Sequence, residues 1–87
     1  MNKIKSYIGF AIKSKQVVYG ADNILVSKKN KLIVASIQLS QNTLEKLKNI
    51  NVKIITLPHE IFEDLNIKGL VVSITNLSLA KAIIENL

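Results

Sequence analysis

The chain reads as an α/β protein, a three-layer α/β/α sandwich around a four-stranded mixed sheet, in one domain spanning residues 1–87. Three observations predict it. The apolar residues switch repeatedly between a helical period and short continuous runs. Those runs are apolar at successive positions, as in Leu32–Ala35, the mark of strands covered on both faces. No linker, internal repeat or low-complexity tract interrupts the alternation.

Each element follows in order. Ile4, Ile8, Ala11 and Ile12 share one face of a first helix. Val17-Val18-Tyr19 is a short strand, expected to pair antiparallel at an edge, and Gly20 ends it. Asp22 is the expected N-cap of a short helix through Ile24, Leu25 and Ser27. Leu32–Ala35 is the second strand, and Ser40 then caps a helix with Leu44, Leu47 and Ile50 inward. Val52–Leu57 is strand-like. Pro58 suits the first position of the next helix, whose apolar side is Ile61, Phe62 and Leu65. Gly69 opens the run Leu70–Ile74, and Asn76 caps a last helix with Ala80, Ile83, Ile84 and Leu87 inward.

Composition narrows the function. With 48% hydrophobic residues, the chain has the material for a core, and a chain of this size buries about 60–65% of its unfolded surface. The absence of cysteine excludes disulfides, thiolate metal sites and a cysteine nucleophile, and suits a cytoplasmic protein. No apolar run approaches the roughly 18 residues of a membrane span. The N-terminal run Tyr7–Ile12 is shorter than a signal-peptide core, so it is expected to belong to the mature fold.

The formal charge is +6, and seven of the twelve lysines but only Asp22 among the acids lie in residues 1–31. Such asymmetry is the footprint of a nucleic-acid-binding face, or less often of an anionic-membrane face. Catalysis has little support. His59, Glu60, Glu63 and Asp64 sit at helical spacing, but acids in a first helical turn offset its dipole, and zinc usually draws on more His or Cys. No nucleophile elbow or phosphate-binding glycine loop occurs. The expectation is a non-catalytic protein without cofactor or metal.

The joints between elements carry the binding reading. Gly20 and the small Ala21 allow close approach to backbone at a strand-to-helix turn, and Asp22 and Asn23 add an acceptor and an amide. "SIQLSQNT" presents Gln38 at a second such joint, and "LNIKGL" places Lys68 beside Gly69 at a third. Each also has an ordinary reading as cap or turn chemistry.

The order of "IGFAIKS…VVYG", "LIVASIQLSQNT" and "VVSITNLSLAKAI" resembles the small bacterial YlxQ-like branch of the kink-turn-binding ribosomal protein family, the L-seven-Ae/L-thirty-e group. The similarity runs over nearly the whole chain. It implies the same sandwich and binding to kink-turn RNA, a bent duplex with a bulge and tandem sheared G·A pairs. The family's Gly-x-Asn-Glu segment, which contacts the G·A pairs, corresponds to Gly20, Ala21, Asp22 and Asn23. Asp22 thus stands where Asn is usual and Asn23 where Glu is usual. The family's following lysine falls on Val26, with Lys28 and Lys29 close behind, and its acidic pair after the second strand falls on Ile37 and Gln38. Ile67, Lys68 and Gly69 occupy the loop that packs against the extruded base.

The resulting expectation is a cytoplasmic, monomeric RNA-binding protein acting on structured ribosomal or regulatory RNA and not on a membrane. Its RNA-binding residues are Gly20, Ala21, Asp22, Asn23, Lys28, Lys29, Gln38, Ile67, Lys68 and Gly69. The alternative is a protein-interaction or oligomerisation domain on the same fold. An exposed cluster of Ile37, Leu39 and Ile67 would favour the alternative; lysines converging on Gly20 would favour RNA.

Overall fold

A computed structural model of the chain describes residues 2–87. Nine elements alternate: α1 (Asn2–Lys13), β1 (Val17–Tyr19), α2 (Ala21–Val26), β2 (Leu32–Ser36), α3 (Gln41–Lys48), β3 (Ile54–Leu57), α4 (His59–Asp64), β4 (Val71–Ile74) and α5 (Leu77–Glu85). The sheet order is β1-β4-β2-β3. β4 runs antiparallel to both of its neighbours and β2 runs parallel to β3, so the sheet is mixed, as the sequence predicts. No helix among the described residues is long and apolar enough to cross a membrane.

The continuous apolar runs mark the inner strands. β2 and β4 are buried at every position, whereas the edge strands β1 and β3 are not. Alternate residues feed two cores. Leu32, Val34, Val72 and Ile74 face a layer built by Ile4, Ile8 and Ala11 of α1, Ile61 and Phe62 of α4, and Ala80 and Ile83 of α5. Ile33, Ala35 and Val71 face the other layer, with Ile24 of α2 and Leu47 of α3. Each large side chain so buried contributes about 1.5–3 kcal/mol.

The helix ends follow backbone chemistry. α1 closes with Lys15 at φ 58, Lys15 N–H donating to the Ile12 carbonyl and Gln16 N–H to the Ala11 carbonyl. This is the paired bond pattern that ends many helices, with lysine where glycine is usual. Asn66 at φ 56 closes α4 in the same way, with Ile67 N–H on the Phe62 carbonyl and Asn66 N–H on the Glu63 carbonyl. Ser40 and Asn76 cap α3 and α5, accepting from Thr43 N–H at 3.3 Å and Leu79 N–H at 2.9 Å.

Several boundaries differ from the sequence reading. Gly20, not Asp22, is the N-cap of α2, at φ 84 and ψ 142, with no side-chain cap bond. Its N–H still reaches the Val71 carbonyl of β4, so the chain leaves the sheet and enters the helix at one residue. Asp22 stands exposed in the first turn, where its charge offsets the helix dipole. Pro58 sits one residue outside α4, at its N-cap. β3 begins at Ile54, two residues later than expected, although Val52 still packs into the second core. Leu87 lies beyond the end of α5 and is exposed, not inward.

Candidate nucleic-acid interface

Strand directions decide which joints meet. β1, β2 and β3 all point the same way, so their C-terminal ends lie together beside the start of β4. Three backbone bonds close that row: Gly20 N–H to Val71 O, Ser36 N–H to Leu70 O at 2.8 Å, and Ile37 N–H to Leu57 O at 3.0 Å. The structure therefore gathers Gly20–Asn23, Ile37–Gln38 and Lys68–Gly69 at one end of the sheet, although they lie far apart in the chain. We call this the glycine end, since Gly20 and Gly69 both adopt positive φ there, at 84° and 92°.

The individual side chains differ in what they offer. Asp22, Gln38 and Lys68 are exposed and form no side-chain hydrogen bond among the described residues. Asn23 turns back and donates from Nδ2 to the Tyr19 carbonyl at 3.0 Å, which leaves its Oδ1 outward. Gln38 is held through its backbone, because its N–H donates to Ser36 Oγ at 3.0 Å. That fully buried hydroxyl lies 2.9 Å from His59 Nδ1, and the His59 ring stacks on Phe62 with centroids 5.9 Å apart. The turn after β2 is thus anchored to the start of α4, so Gln38 is presented from a fixed frame.

Three expected contact residues are not in this cluster. Ile67 is only 8% exposed; it packs in the core with Phe62 and completes the cap of α4, so its side chain offers little surface. Lys28 and Lys29 follow the C-terminal end of α2, and a six-residue helix carries them about 9 Å from Gly20 toward the opposite end of the sheet. Proximity in sequence misled here because a helix intervenes.

Both discriminating patterns fail together. Leu39 packs into the second core and Ile67 into the first, leaving Ile37, 67% exposed, without an apolar cluster around it. Nor do lysines converge on Gly20. Lys68 is the cation of the gathered loops, and it shares that end with Asp22 and with Glu60 in the first turn of α4.

The structure adds residues that the sequence reading missed. Tyr19 ends β1 with 41% of its surface exposed and lines an open hollow of about 350 Å³ with Asn66 and Lys68. A ring, an amide and an ammonium around one hollow can stack on a planar base, bond its edge and hold a phosphate. The available signal was an aromatic residue directly before a turn glycine. Among the described residues no group of three or more His, Cys, Asp or Glu side chains could hold a metal.

Comparison with known proteins supports the fold alone. No family model and no curated protein matches the chain. A solved structure of a protein with unknown function from Bacillus halodurans C has the same fold, with a TM-score of 0.82 at 14% sequence identity. The match covers 95% of this chain and 94% of that one.

Proposed function

We propose that this protein is a non-catalytic, cytoplasmic RNA-binding module that recognises a bent, kink-turn-like RNA at the glycine end. The observation that carries the reading is the convergence of three distant segments, 20–23, 37–38 and 68–69, beside the Tyr19–Asn66–Lys68 hollow. The sequence resemblance to the kink-turn-binding ribosomal protein family supports the same surface. Its chemistry is shape recognition: backbone approach at Gly20, amide and carboxylate contacts from Asn23, Asp22 and Gln38, and a stacking ring at Tyr19. With Lys68 as the one lysine of its gathered loops, beside Asp22 and Glu60, this surface supplies discrimination between RNA shapes and little of the total affinity.

The test compares binding of a consensus kink-turn RNA with a straight duplex of equal length, using wild type and the Gln38→Ala/Lys68→Ala double variant. Both side chains are exposed and unbonded, so the variant keeps its fold. A kink-turn preference that falls in the variant supports the proposal. Equal binding of both RNAs by wild type refutes it. Ile37 favours a second reading, a protein contact at the same end, and binding of neither RNA would bring that reading forward.

A further inference from the structure

The excess charge of the chain is gathered at the end of the sheet opposite Gly20. A second set of backbone bonds identifies that end: Thr75 N–H to Gln16 O at 3.0 Å, Lys31 N–H to Ile74 O at 2.8 Å, and Ile33 N–H to Lys53 O at 2.9 Å. The segments meeting there are 13–16, 27–31, 49–53 and 75–76. They hold Lys13, Lys15, Lys28, Lys29, Lys31 and Lys53, and not one acid. All six lysines are exposed, and none forms an ion pair among the described residues. The nearest acid along the chain on α3, Glu45, is already engaged by Lys48 at 3.4 Å. At about 4.8 Å between neighbouring strands, the row from Lys15 through Lys31 to Lys53 is roughly 14 Å long.

We infer that this lysine end is a second, separate surface that grips the phosphate backbone of duplex RNA, so the protein holds RNA at two opposite ends. The inference rests on the reading that RNA is the partner. Charge complementarity selects a polyanion. The neighbouring Asn49, Asn51 and Thr75 are residue types that bond phosphate and ribose oxygens. A membrane surface would instead need a continuous apolar face. The exposed apolar residues near this end are single residues on three helices, Phe10 of α1 and Leu77 of α5 on one face of the sheet and Val26 of α2 on the other.

The experiment is a salt titration of straight-duplex binding by wild type, by Lys28→Gln/Lys29→Gln/Lys31→Gln, by Lys13→Gln/Lys15→Gln/Lys53→Gln, and by the Gln38→Ala/Lys68→Ala variant. Each lysine triple should lower the slope of log affinity against log salt by roughly 2 to 3 and the affinity at 0.1 M salt by roughly tenfold or more. The glycine-end variant should reduce kink-turn preference and lower the duplex salt slope by less than either lysine triple. Unchanged slopes in both triples overturn the inference, as does capture on phosphatidylserine vesicles with no duplex binding. A wild type without kink-turn preference, whose duplex binding still collapses in the triples, refutes the glycine-end proposal alone.

Discussion

Asn30 sits between Lys29 and Lys31, and its side chain ties the lysine-bearing loop to the sheet. Its Nδ2 donates to the carbonyls of Ile24 at 2.8 Å and Ser27 at 3.2 Å, and its Oδ1 accepts from Ser73 Oγ at 2.7 Å. Ser73 is fully buried in β4, and Asn30 is its side chain's partner among the described residues. In Asn30→Ala the orphaned hydroxyl should cost about 1–3 kcal/mol, and the two partly solvated carbonyl bonds about 0.5 kcal/mol each. The sum is about 2–4 kcal/mol. At an m-value of about 1 kcal/mol/M, urea denaturation should show a midpoint lowered by about 2–4 M. Ser73→Ala removes the hydroxyl that Asn30→Ala would strand, so the double variant should cost about 1 kcal/mol less than the sum of the singles. A loss below about 0.5 kcal/mol in Asn30→Ala, or strict additivity in the cycle, would show that the triangle of bonds does not hold the loop.

Two further predictions concern backbone conformation. A Cβ on Gly20 would meet only Asn23 Nδ2 at 3.9 Å, so Gly20→Ala should cost about 1–3 kcal/mol through its φ of 84 alone, read as a lower melting temperature; an unchanged value would refute that origin. Lys15→Gly should raise stability by about 0.5–1 kcal/mol, because glycine adopts φ 58 without strain, and should weaken duplex binding by its share of the lysine charge. Urea unfolding checks the first effect, and a drop in midpoint would contradict it.

The layers were legible because alternation within runs such as Leu32–Ala35 divides side chains between two cores, a local property of strands. The three joints were legible too, since Gly20, Gln38 and Lys68–Gly69 each mark a turn. What sequence reading missed was the travel along each element. The charge excess of residues 1–31 looks like one patch in the chain, yet Lys28 and Lys29 are separated from Gly20 by the length of α2. Ile67 looks like a loop residue, but the cap of α4 turns it into the core. Asp22 matches a capping pattern, but Gly20 makes the turn in a conformation that a polar-residue search does not seek. The Ser36–His59 anchor joins the end of β2 to the first residue of α4, and no local spacing announces it.

The position of β4 has a consequence for biosynthesis. It is the last strand in the chain, yet it lies between β1 and β2, with Val17 opposite Ile74 and Leu32 opposite the same residue. Before it emerges, β1 has no strand beside it, and β2 has its β4 edge open. Such late, long-range pairing slows folding and lengthens the time that strand edges stay available to other chains. A nascent chain stalled after Gly69 should therefore remain protease-sensitive, and release of the segment through Glu85 should convert it in one step to the resistant form.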